Sequence, residues 1–116
     1  MSLGDIFMES KILKIYIAGP MRGYEQNNHA AFDKAENELK IRKVFDVVNP
    51  AKLDRELGFD CLGDMDKNFL IDALRRDMIA ITECDAIYLL RGWEKSDGAR
   101  AEHALAVALN LYRLYE

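Results

Sequence analysis

Apolar, β-branched runs alternate with helix-period segments along this chain, and that alternation admits very few folds. The runs are residues 12–18, 44–48, 86–90 and 111–115, each with the length and composition of a strand. Between the first two, Phe32, Ala35 and Leu39 recur at the core spacing of a helix. Residues 68–83 carry a longer helical pattern, with Leu70, Leu74, Met78 and Ile81 on one stripe. An Ala- and Leu-rich helix follows over 99–110, and 53–57 permits a short one. Residues 51–66 are the least periodic part, and 58–66 read as a flexible loop, either a lid or a plain connection. Strands separated by helices pair in parallel through right-handed crossovers, which bury both faces of the sheet. The expected fold is therefore α/β: a single-domain three-layer sandwich, with a parallel sheet of about four strands in the Rossmann-like order 2-1-3-4 and helices on both faces.

At 116 residues the chain holds one domain, and residues 11–116 supply it. Residues 1–10 are too polar for a signal peptide and read as a disordered or tag-like terminus. The net charge of −4 argues against binding a nucleic-acid polymer, which needs a basic face. A small phosphorylated ligand stays open, because a few backbone amides and one Arg suffice to hold it. Cys61 and Cys84 have neither metal-ligand spacing nor a disulfide framework, which points to a reducing cytoplasm. His29 and His103 stand far apart, so no metal or cofactor is expected. No run reaches membrane-spanning length.

In a sheet of this order, ligands bind beyond the carboxyl ends of the strands, near the switch between the first and third. Three stretches fall there. One is the turn Gly19-Pro20-Met21-Arg22-Gly23, where the Arg22 fork suits a phosphate. The second is Asn49, at the end of the second strand. The third runs from Trp93 through Ser96 and Gly98 into the last helix. Ser96 or Asp97 can cap that helix, Gly98 lets a ligand approach the backbone, and Trp93 can stack on a base or pack under the loop. Glu102 lies about one turn inside, where the helix dipole favours its ionised form; it is either a surface acid or a nucleophile. Asp77 falls in the middle of the apolar stripe of residues 68–83, within about 20° of Leu70. A carboxylate there either bonds backbone at the edge of the buried face or belongs to a site.

Taken together, these marks resemble the nucleoside 2-deoxyribosyltransferase superfamily over residues 12–116. They are Ile15-Tyr16-Ile17-Ala18-Gly19-Pro20, Asp77 followed eight residues later by Asp85, and Gly98-Ala99-x-x-Glu102-x-x-x-Ala106. The resemblance implies that Glu102 is the nucleophile, that Asp77 orients nucleophile and substrate, and that Tyr16 lines the site. Transferases of this superfamily commonly carry Asp six residues before the nucleophile; this chain has Ser96 there and Asp97 next. The deoxynucleoside 5′-monophosphate N-glycosidases also have Ser, together with an Ile-Arg-Gly-type turn that Met21-Arg22-Gly23 resembles. In that branch these groups hold the substrate phosphate. Gly92-Trp93-Glu94-x-Ser96-x-Gly98-Ala99 is most similar to small bacterial and phage members of the superfamily.

The expected activity is cleavage or transfer of an N-glycosidic bond on a (deoxy)nucleoside or its 5′-monophosphate, through a glycosyl intermediate on Glu102. Arg22, Ser96 and the amides near Gly19 and Gly23 would hold the 5′ end. The rival reading is a nucleotide-binding or sensing module without turnover. Either is compatible with a homodimer or higher homo-oligomer, because the small residues of the last helix permit close helix approach.

Overall fold

The computed structural model describes residues 12–58 and 67–116. Strand β1 (Leu13–Ala18) leads through a 3-10 turn to helix α1 (His29–Ile41) and strand β2 (Phe45–Val48). Helices α2 (Pro50–Glu56) and α3 (Lys67–Thr82) come next, then strand β3 (Ala86–Leu89). Helix α4 (Asp97–Ala108) and strand β4 (Tyr112–Tyr115) complete the order. All four strands pair in parallel, in the order β2-β1-β3-β4.

The period-two alternation of β1 divides the core. Ile15 and Ile17 pack with Phe32, Ala35 and Leu39 of α1 and Ala51 of α2 on one face. Tyr16 and Ala18 pack with Ile81 of α3 and Ala106 of α4 on the other. β1 is buried on both sides because it is central, and residues Ile15 to Ala18 have no exposed surface. Tyr16 is thereby aimed at the face covered by α3 and α4, where Asp77 and Glu102 lie.

Local chemistry sets the element boundaries, and three differ from the sequence reading. Asn49 and Pro50 do not form a turn but start α2. The Asn49 side chain accepts from the amides of Ala51 and Lys52, and Pro50 takes the first helical position, where its missing N–H costs nothing. Ser96 caps α4, accepting from the Ala99 amide at 3.2 Å, so the helix begins at Asp97. The stripe on α3 also splits. Ile81 is buried in the core, but Leu70 and Leu74 line a cavity, and Leu74 stays 40 % exposed. The expected loop covers residues 58–66, of which 59–66 lie outside the described residues, as do residues 1–10 and Cys61.

Gly19 is required by packing. A Cβ there would stand 2.7 Å from the Cβ of Leu90, the residue that follows β3. The turn after β1 can therefore lie close against the end of the neighbouring strand, where the sheet order switches.

Candidate active site

A cavity of about 510 Å³ opens at the carboxyl ends of β1 and β3. Residues 19–24 form one wall, the Phe69, Leu70, Ala73 and Leu74 face of α3 another, and residues 95–99 a third. Tyr16, Asp54 and Glu102, all buried, and the half-buried Asp77 supply its polar lining.

The Tyr16 hydroxyl donates to Oε2 of Glu102, joining the central strand to α4 in a buried contact. Glu102 is 7 % exposed. Asp77 reaches the same place from α3, with its side chain 14 % exposed. Its Oδ1 accepts from Nε and Nη2 of Arg76 at 2.9 and 2.7 Å. The same Nη2 donates to Oδ1 of Asp54 on α2, also at 2.7 Å. Three carboxyl groups thus gather around one guanidinium, from three helices.

Burial dominates the electrostatics. Desolvation, reinforced by the neighbouring Asp77 charge, pushes Glu102 up to about 8, against the opposing pull of the Tyr16 hydrogen bond and Arg76. Asp77 is raised to about 6, again by burial first, with Arg76 pulling it down. Burial and the facing Glu102 and Asp77 hold the Tyr16 phenol well above its ordinary value. Arg76 loses some basicity to burial but gains more from Asp77 and Asp54, so it stays a firm cation. The expectation that the helix dipole favours ionised Glu102 is therefore corrected. The dipole acts over the first turn and is worth about 1 kcal/mol, whereas loss of solvent around a buried carboxylate costs several. Near pH 7 the resting pair retains one proton, mainly on Glu102.

The remaining expected site residues divide. Gly19, Met21, Arg22, Gly23, Ser96 and Gly98 all line the cavity. Arg22 is exposed at the mouth. A Cβ on Gly98 would meet nothing within 4 Å, so open space lies beside the start of α4. The structure puts Asn49 and Trp93 elsewhere. Asn49 is buried beneath α2, where Nδ2 donates to Asp33 and Glu36 at 3.0 Å while Oδ1 caps the helix, so all its capacity serves the fold. Trp93 packs on the His103 ring, with centroids 4.2 Å apart, and against the core cluster beneath β3. His103 meets the Tyr115 hydroxyl through Nε2 at 3.1 Å.

Sequence reasoning missed Arg76 and Asp54. Asp54 is only 4 % exposed, although it falls in what reads as a short surface helix. The one available signal was an Arg directly beside the acid on the apolar stripe.

The match with known families is consistent with this architecture. The description of the DUF4406 family, a domain of unknown function, fits residues 13–115, nearly the whole chain. The chain belongs to the DUF4406 family. No curated protein matches it. In this DUF4406 chain no described helix is long and apolar enough to cross a membrane. Among the described residues, no group of three or more His, Cys, Asp or Glu is arranged to hold a metal ion.

Proposed function

We propose that this DUF4406 chain cleaves the N-glycosidic bond of a deoxynucleoside, preferentially as its 5′-monophosphate, with Glu102 as the nucleophile. The observation that carries the reading is the buried Tyr16–Glu102 contact beside Asp77 on the floor of a cavity that ends at Arg22 and Ser96. The motif resemblance to the nucleoside 2-deoxyribosyltransferase superfamily supports it. The cavity volume lies within the roughly 300–1,000 Å³ of small-molecule sites.

In the proposed reaction the Glu102 carboxylate attacks the anomeric carbon and forms a C–O bond. The C–N bond breaks, and its electron pair leaves with the base. The proton retained between Asp77 and Glu102 passes to the departing base nitrogen, which neutralises it as Glu102 becomes esterified. Water then attacks the anomeric carbon, the C–O bond to Glu102 breaks, and the proton the water loses returns to the Asp77–Glu102 pair, giving hydrolysis with retained configuration. A second base in place of water gives transfer. Tyr16 holds Glu102 in line through its hydrogen bond.

The phosphate preference rests on three neighbouring groups. Arg22 is a charged fork at the cavity mouth. The Ser96 hydroxyl keeps its proton for donation while its oxygen caps α4. The first amides of α4 lie at the open end of the helix. A charge-assisted bond from Arg contributes about 1.5–3 kcal/mol. The 5′-monophosphate should therefore be used at least about tenfold better than its nucleoside. Arg22→Ala should erase most of that preference and spare the nucleoside. Chromatography of free base across a panel of nucleosides and nucleotides reads both effects, and equal use of the two forms would contradict the phosphate site.

One observation favours the rival reading of a nucleotide-binding module without turnover. A protonated Glu102 is a hydrogen-bond donor suited to a ribose oxygen. Tight binding with no base released from any panel member would establish that alternative. In either case we place the chain in a reducing cytoplasm, where the buried thiol of Cys84 stays free. We also propose a homo-oligomer formed through the outward stripe of α4, where Ala101, Ala104, Val107 and Ala108 are exposed. A monomer mass in sedimentation equilibrium would exclude it.

A further inference from the structure

We propose that Arg76 is the positioning residue of this site: held between Asp54 and Asp77, it fixes the Asp77 carboxylate beside Tyr16 and Glu102 and sets which of the two facing acids carries the proton. The inference rests on the proposed N-glycosidic chemistry for its purpose, but its geometry stands independently. Arg76 does not line the cavity, so it acts through Asp77 rather than on a substrate.

The geometry is that of a clamp. Two Arg76 nitrogens converge on one oxygen of Asp77, and one of them also bonds Asp54 across the gap between α2 and α3. A fork bonded at two points fixes the side chain it holds far better than a single flexible ammonium would. The Arg76 side chain is 22 % exposed and that of Asp54 only 5 %, so bulk water screens the contact weakly.

The groups facing Asp77 come from four elements. Arg76 lies beside it on α3, Asp54 on α2, Tyr16 on β1 and Glu102 on α4. Three of the five are acids and one is a fixed cation. One guanidinium cannot compensate three neighbouring carboxylates, so one acid keeps its proton. Arg76 touches Asp77 directly and acts on Glu102 only through space, so Asp77 is the acid it ionises and the proton is left on Glu102. Asp54 works against this by engaging the same guanidinium and by facing both acids with its own charge.

The test is a carbon-detected NMR titration of the side-chain carboxyls in the ligand-free protein. Arg76→Met should raise the Asp77 midpoint by about one pH unit or more, and Arg76→Lys should restore part of the difference. Asp54→Asn should move the same midpoint down, because it removes a negative charge and leaves Arg76 to Asp77 alone. A merely structural Arg76 would leave the midpoint in place in every folded variant, and that result overturns the proposal. If Arg76→Met does not fold, as circular dichroism would reveal, Arg76→Lys decides: an Asp77 midpoint above that of the parent in the folded variant supports the clamp, and an unmoved midpoint overturns it. The titration needs no substrate. A parent protein that releases no base from any nucleotide would therefore overturn the proposed reaction while leaving the clamp supported or refuted on its own result.

Discussion

Glu102→Ala should lose base release by at least about a thousandfold, the scale expected when the proposed nucleophile is removed. Glu102→Gln keeps the size and the hydrogen bond to Tyr16 and is equally inactive, because a neutral amide does not attack a sugar carbon. Both variants stay folded: Glu102 lies at the cavity floor and the two apolar clusters do not include it. In the parent, kcat/KM should be bell-shaped in pH with its maximum between about 6 and 8, because the carboxyl pair must be ionised once for attack while keeping the one proton that neutralises the departing base. Initial rates of free-base formation from pH 5.5 to 9 measure the profile. A flat profile, or a Glu102→Ala variant within a few-fold of the parent, would exclude the nucleophile.

The same protons couple stability to pH. Folded Glu102 holds its proton to about 8 and folded Asp77 to about 6, against ordinary values of 4.5 and 3.8. Between those limits the folded chain binds more protons than the unfolded one. The contribution of these two acids to stability is full below about pH 4 and is lost as pH rises to about 8. Each unit of displacement corresponds to about 1.4 kcal/mol, so Tm should fall clearly as pH rises from 5 to 8. Glu102→Gln removes the larger of the two displacements. It should be more stable than the parent at pH 8, while the two differ little at pH 5. Thermal unfolding followed by circular dichroism at pH 5, 6.5 and 8 gives the comparison. Equal slopes of Tm against pH in parent and variant would mean that Glu102 titrates normally in the folded protein.

The sheet was legible because its determinants are local. The continuous apolar run ending in Ile15, Tyr16, Ile17 and Ala18 announces a strand buried on both sides, and the intervening helical spacings leave one economical topology. The same logic brings Tyr16, Asp77 and Glu102 to one end of the sheet. What escaped the sequence was the competition for each side chain. Asn49 sits at a strand end, as a ligand contact would, but two helix amides and two acids occupy it completely. Trp93 has the stacking surface for a base, yet His103, ten residues on and across the first turns of α4, takes that face. The Arg76–Asp54 bond joins residues 22 apart through a gap between helices, and no periodicity encodes it. The protonation of Glu102 follows from how much solvent Asp77, Tyr16 and α3 remove around it, which depends on packing and not on helix position alone.

The central claim is a covalent bond between a sugar and Glu102, and intact-protein mass spectrometry tests it most directly. A deoxynucleoside 5′-monophosphate bearing fluorine at the sugar 2′ position is suited to the experiment. The fluorine destabilises the oxocarbenium-like transition states, so an intermediate that forms turns over slowly enough to accumulate. The parent protein should gain the mass of one fluorinated sugar phosphate, and proteolytic fragments should place it on Glu102. Asp77→Asn should gain it more slowly, and Glu102→Gln not at all. Attachment to any other residue, or release of free base together with a sugar of inverted anomeric configuration and no adduct, would contradict the account.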